Sequence, residues 1–166
     1  MKTATITLLK HPIHWFGLGF GSGLVPKAPG TAGSLLAWLL AWFFPELTNI
    51  WFVLMASLVG IYICHWCAKD MGVHDHPAIV WDEFCGQWLL LSYVVNIVGH
   101  PEFALNSTFW SWLSAFFLFR FFDILKPWPI SWLDKNLSSG FGIMLDDIMA
   151  ALMGIVVMYS IFLVFS

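Results

Sequence analysis

Charge is what this sequence has least of. Asp, Glu, Lys and Arg make up 10% of its 166 residues, against about a quarter in an ordinary soluble domain. It contains a single arginine, Arg120, and its formal net charge is −3. That balance excludes the basic footprint of a nucleic-acid-binding chain. Cysteine is scarce too, with only Cys64, Cys67 and Cys85. Cys64 and Cys67 have CxxC spacing, but no second pair completes a zinc site. They close an apolar run, where small buried cysteines are common, so packing is expected of them. No internal repeat, low-complexity tract or long polar linker divides the chain, which is expected to form one domain over residues 1–166. Lys2 and Lys10 are not followed by the apolar run and small-residue site of a removable signal peptide, so none is expected.

Apolar residues fill the space that charge leaves. The chain is 60% hydrophobic and holds eleven tryptophans. Uncharged stretches fall at 28–45, 47–68, 84–101, 103–119 and 148–166. Each approaches the roughly 20 residues that a bilayer-spanning helix needs, although Pro45 and Asn96 sit awkwardly in or beside two of them. The expected fold is all-α: a polytopic helical membrane bundle with four or five membrane helices. Threading the chain from an inside amino terminus puts Lys2, Lys10, Lys27, Lys69, Arg120, Lys126 and Lys135 on one side. The positive-inside rule makes that side the cytoplasm, with Glu46 and Glu102 in turns opposite. Nearly all the polar chemistry therefore gathers at one face.

Three charged clusters converge there. Asp82 and Glu83 open the third span, Arg120, Asp123 and Lys126 end the fourth, and Asp146 and Asp147 open the fifth. Helices joined by short turns pack side by side, so these ends should meet. Five carboxylates in one small volume repel and resist ionisation, and a hard cation such as Mg²⁺ or Mn²⁺ resolves the conflict. The plainer alternative is that the acids complement helix dipoles at amino termini. Arg120 and Lys126 suit anionic oxygen, or else pair with Asp123, three residues from each. Pro127 disfavours helix at Lys126 and should end the helix there. Trp128 and Trp132 fit an interfacial belt.

A glycine-rich stretch, "GFGSGLVPKAPGTAGS" at 19–34, precedes the first span, with Gly30, Thr31 and Ser34 where that helix begins. A glycine loop feeding a helix amino terminus offers backbone N–H groups and a positive dipole to an anion. It matches neither the P-loop nor the dinucleotide fingerprint, and Thr31 as a simple N-cap is the alternative. His74 and His76 have a His-x-His spacing that could ligate a transition metal, but a polar turn is expected. His65 and His100 are isolated.

The runs "GFGSGLVPKAPGTAGS", "AKDMGVHDHPAIVWDEFCGQW", "FRFFDILKPWPISWLD" and "GFGIMLDDIMA" occur in this order between residues 19 and 151. Together they resemble the phosphatidylglycerophosphatase A family of bacterial lipid phosphatases. The resemblance implies Mg²⁺-dependent hydrolysis of the terminal phosphomonoester of phosphatidylglycerophosphate, giving phosphatidylglycerol and inorganic phosphate. It implies a multi-pass protein of the bacterial cytoplasmic (inner) membrane with its site facing the cytoplasm. The positions it carries over are Asp82, Glu83, Asp123, Asp146 and Asp147 for metal and catalysis, and Arg120, Lys126 and the 30–34 turn for phosphate.

Other phosphatase chemistries leave no trace. The chain lacks D-x-D-x-[TV], a Cys-x5-Arg loop and a P-S-G-H run. Metal-activated water attacking a held phosphate is the simplest remaining route, with a carboxylate nucleophile also open. The rival reading is a cation transporter or channel that uses the same acids. Transporter sites usually lie near the membrane midplane within repeated halves, whereas these acids gather at one face of a chain without repeats.

Overall fold

The computed structural model describes residues 11–73, 76–97, 105–137 and 139–165. His74, Asp75, His100, Glu102, Lys2 and Lys10 lie outside the described residues. Among the described residues seven α-helices follow in order: α1 (Pro12–Gly17), α2 (Pro29–Phe43), α3 (Ile50–Met71), α4 (Trp81–Ile97), α5 (Leu105–Leu125), α6 (Ile130–Asn136) and α7 (Gly140–Phe165). The described residues form no strand, as the all-α reading expects.

Each of the five apolar stretches corresponds to one long helix, and local chemistry sets the boundaries. Pro29 starts α2, where its fixed φ and missing N–H suit the first helical turn. Asn49 caps α3, its side chain accepting from the N–H groups of Trp51 and Phe52 at 3.0 and 3.4 Å. Gly72 closes α3 in the left-handed region at φ 67°. The largest departure is α7. The uncharged stretch begins at 148, but the helix begins eight residues earlier, at Gly140. Buried Asp146 and Asp147 do not interrupt it, because both face a cavity rather than lipid or core.

Among the described residues, two helices, Ile50–Met71 and Gly140–Ile161, are long and apolar enough to cross a membrane. α3 turns Trp51, Leu54, Met55, Leu58, Val59 and Tyr62 outward, a broad apolar face of the kind that lipid covers. α4 is the axis of the bundle, packed against α2, α3, α5 and α7. Indole N–H groups join these neighbours through the buried layers. Trp88 donates to the Ala37 carbonyl at 2.9 Å, Trp81 to Ala56 at 3.2 Å, and Trp38 to Trp112 at 2.8 Å. Buried indoles need such acceptors, so the tryptophans both fill the core and fix helix register.

Cys64 and Cys67 are free and fully buried on α3. Cys67 lies against α1, where its thiol faces the Ile13 carbonyl at 3.9 Å. These cysteines serve packing, in line with the sequence reading. Beside them the buried His14 of α1 approaches Asp70 of α3 at 3.2 Å.

Candidate active site

One end of the bundle opens into a cavity of about 390 Å³, lined by residues from α2, α4, α5, α7 and the turns beside them. Its walls hold Asp82, Glu83, Arg120, Asp123, Lys126, Asp146 and Asp147, together with Gly30 and Thr31. Nearly every site residue expected from the sequence is therefore in one place. Ser34 is the exception. It lies fully buried one turn into α2, where its hydroxyl donates to the Gly30 carbonyl at 2.9 Å. The same oxygen accepts from Arg120 Nη1 at 3.3 Å, so Ser34 reaches the cavity through the guanidinium it supports.

The seven charged groups sort into three subsets. Asp82, Glu83 and Asp147 each offer a carboxylate oxygen, and these oxygens lie within 4.8 Å of one another. Glu83 Oε2 and Asp147 Oδ2 are buried without a hydrogen-bond partner. Three like charges with stranded oxygens are costly unless a cation is shared among them. An all-oxygen donor set of this kind fits Mg²⁺ or Mn²⁺. The dipole alternative loses force on α7, because Asp146 and Asp147 stand beyond its first turn.

Arg120 belongs to the second subset. Its Nη1 pairs closely with Asp123 and lies 4.0 Å from Glu83 Oε1. Its Nε is buried and makes no hydrogen bond, leaving a donor unspent. The guanidinium thus sits between the carboxylate trio and its own partner on α5. Gly30 makes room for this arrangement, since a Cβ there would meet Glu83 Oε1 and both terminal nitrogens of Arg120.

Lys126 forms the third subset, and it turns away from Asp123. Its Nζ bonds Asp134 at 2.6 Å and Asp146 at 3.2 Å. Burial alone would lower its pKa, but these carboxylates outweigh that and hold it above the ordinary lysine range. Lys126 has left the helix, at φ 41° immediately before Pro127, and this redirects the ammonium. Of the triplet Arg120, Asp123 and Lys126, only the first two share the expected helix-face pair.

Only part of the glycine stretch reaches the cavity. Residues Gly19–Leu24 form a 3₁₀ turn in which Gly19 packs near Val80 and Phe84. The cavity wall begins at Lys27 and continues through Thr31. Ala28 supplies no side-chain cap to α2. The first N–H groups of α2 consequently lack partners within the helix, at its positive end.

Two residues of this region were not foreseen as site residues. Lys27 stood out only in the charge asymmetry, yet it lines the cavity. Asp134 is the acid nearest Lys126, reached because the turn after Pro127 folds α6 back.

The geometry is a charged cavity that joins a carboxylate trio with Lys27, Arg120 and Lys126. The profile of the phosphatidylglycerophosphatase A family matches residues 15–162. The chain belongs to this family. It is 45% identical to phosphatidylglycerophosphatase A of Escherichia coli K12 over 157 residues, covering 92% of this chain and 85% of that one. Against phosphatidylglycerophosphatase A of Haemophilus influenzae it is also 45% identical, over 92% of this chain and 90% of the relative. A putative phosphatidylinositol-3-phosphatase of Bacteroides thetaiotaomicron is 35% identical over 81% of this chain and 83% of its own. No solved structure matches the chain. The matched family segment contains every charged residue of the cavity wall.

Proposed function

We propose that this phosphatidylglycerophosphatase A family member hydrolyses the terminal phosphomonoester of phosphatidylglycerophosphate, using Mg²⁺ held by Asp82, Glu83 and Asp147. The observation that carries this reading is the trio of carboxylate oxygens within 4.8 Å, set in one cavity with Arg120, Lys126 and the amino terminus of α2. The names of the 45%-identical relatives support the substrate.

In the reaction a water oxygen attacks phosphorus while the bond to the glycerol oxygen breaks. One proton leaves the water, one reaches the departing glycerol oxygen, and inorganic phosphate and phosphatidylglycerol result. A bound divalent cation supplies Lewis-acid polarisation of the phosphoryl group and a more acidic water. Arg120 is already oriented by Asp123 and Ser34, so its guanidinium meets the phosphoryl oxygens with little reorganisation. The unpaired N–H groups of Gly30 and Thr31 add neutral donors at the positive end of α2. Lys126, held between Asp134 and Asp146, contributes positive charge at the cavity mouth.

The deciding experiment measures phosphate release from phosphatidylglycerophosphate in detergent or liposomes. Turnover should appear with Mg²⁺ and vanish with EDTA, then return when Mg²⁺ is added in excess. Undiminished turnover in chelator would remove the metal from the proposal, and no release under any condition would remove the substrate.

The same reading places the cavity on the cytoplasmic side of the inner membrane, with α2, α3, α4, α5 and α7 as the membrane helices. Support comes from Lys27, Arg120 and Lys126 at the cavity end and Glu46 in the turn after α2. Glu46 and Lys135 are both exposed, and the native cysteines are buried. In intact cells a membrane-impermeant maleimide should label Glu46→Cys once the outer membrane is permeabilised. It should label Lys135→Cys only after the inner membrane is opened as well. The reverse pattern would turn the protein over.

A further inference from the structure

The seam between α3 and α7 carries two adjoining cavities that the phosphatase reaction does not use. On α7, Ile143, Asp146 and Asp147 face the active-site cavity. Phe141, Met144, Leu145 and Ile148 instead line a groove of about 320 Å³, closed on the α3 side by residues that include Leu58 and Ile61. At 3.6 residues per turn these two sets occupy opposite faces of one helix. The groove is apolar throughout. Its one hydroxyl, on Ser57, is turned back to the Val53 carbonyl at 2.8 Å.

One helical turn toward the start of α7, the seam changes character. A second cavity, of about 220 Å³, lies between His65, Lys69 and Gly72 of the α3 end and Ser139 and Gly140. Gly140 permits this closeness, because a Cβ there would collide with the Ile61 carbonyl and the His65 backbone. Lys69 is exposed, with its ammonium 4.4 Å from the Trp66 ring. The 26-residue α7 begins at Gly140 in this cavity wall, and the first N–H groups of a helix have no partner within it. An apolar groove thus neighbours a pocket that carries Lys69, with Phe141 in the wall of one and Gly140 in the wall of the other.

We propose that this seam binds one anionic glycerophospholipid of the bilayer, separate from the substrate in the active site. Its phosphate sits at Lys69 and the α7 amino terminus, and an acyl chain runs along the groove past Leu58 and Leu145. The sequence of polar and apolar parts selects this occupant. A partner helix filling the groove would have to bury or displace the Lys69 ammonium, whereas a lipid phosphate pairs with it at the interface. A zwitterionic lipid would add its own cation beside Lys69 and gain less. Because α7 also carries Asp147, a lipid that bridges α3 and α7 steadies the helix on which the carboxylate trio depends.

This proposal rests on the membrane reading of the protein, and its test separates the two. The intact protein is placed in lipid nanodiscs with phosphatidylglycerol or phosphatidylcholine bearing a diazirine on one acyl chain, and crosslinks are mapped by mass spectrometry. The phosphatidylglycerol probe should label segments 54–61 and 141–148 in preference to the phosphatidylcholine probe. Lys69→Gln should reduce that labelling about fivefold, the worth of one interfacial basic residue. Leu58→Trp, at a largely exposed position that tolerates bulk, should block the acyl contact while the protein stays folded. Equal labelling by both lipids, or labelling indifferent to Lys69→Gln, would overturn the lipid site and leave the membrane reading standing. Absence of crosslinks from α3 and α7 altogether would overturn both.

Discussion

Glu83→Gln and Asp147→Asn should each slow phosphate release by about 10²–10³-fold, the scale for losing one preorganised electrostatic group at a reacting centre. Each isostere keeps the shape of the side chain and removes one charge from the trio that gathers within 4.8 Å. Stability should change with a definite sign as well. Without metal, the wild-type protein holds stranded oxygens on Glu83 and Asp147 beside a third carboxylate, and the nearby Arg120 is already paired with Asp123. Removing one charge relieves that repulsion, so both variants should melt at a higher temperature than the wild type in EDTA. Adding Mg²⁺ should raise the wild-type melting temperature, because a ligand that binds only the folded state stabilises it, and should raise the variants far less. Asp146→Asn should behave differently, since Asp146 answers Lys126 at 3.2 Å and is not one of the three. Its activity loss should be smaller, and the Mg²⁺-dependent rise in melting temperature should survive. If Mg²⁺ stabilises Glu83→Gln and Asp147→Asn as strongly as the wild type, the metal does not sit in this trio.

Much of this site could be read before the fold was known, for identifiable reasons. A chain with 10% charged residues has few places to put them, and each costs too much in an apolar bundle to be left without a role. That reasoning brought Asp82, Glu83, Arg120, Asp123, Lys126, Asp146 and Asp147 to one end, and all seven line one cavity. It could not sort them. Helical spacing makes Asp123 an equal neighbour of Arg120 and Lys126, and only the chain's departure from helix at Lys126 sends that ammonium to Asp134 and Asp146. The start of α7 was obscured for a related reason. An uncharged run marks where lipid or core can touch a helix, not where its hydrogen bonding begins. The eight residues from Gly140 to Asp147 were therefore invisible to that criterion. Ser34 shows a third limit. A hydroxyl near a helix start looks like a ligand for an anion, but its burial beneath Arg120 depends on how α2 meets α5.

Arg120→Lys should lower turnover about a hundredfold while the protein remains folded and in the membrane, on the scale for losing one oriented donor to a transition-state oxyanion. The guanidinium does several things at once through fixed geometry. Its Nη1 contacts Asp123 and the Ser34 hydroxyl, it approaches Glu83, and its Nε is buried without a partner. A lysine can restore the pairing with Asp123, but it has no planar fork with which to hold two phosphoryl oxygens. Lys126→Ala should act differently, because its ammonium is already engaged by Asp134 and Asp146. Loss of Lys126 removes a positive charge from the cavity mouth and leaves Asp146 facing Asp134 without a mediator. KM and the inhibition constant for inorganic phosphate should therefore both rise, with a smaller change in kcat. A phosphomonoester carries more than one negative charge near neutral pH, and a diester analogue carries one. The affinity gap between such analogues should accordingly narrow in Lys126→Ala. Steady-state kinetics with both analogues, set beside thermal melts of each variant, separates recognition from bracing. Should both substitutions lower only the melting temperature, leaving kcat and KM of the folded fraction intact, Arg120 and Lys126 are braces for the bundle and the phosphate must be held elsewhere.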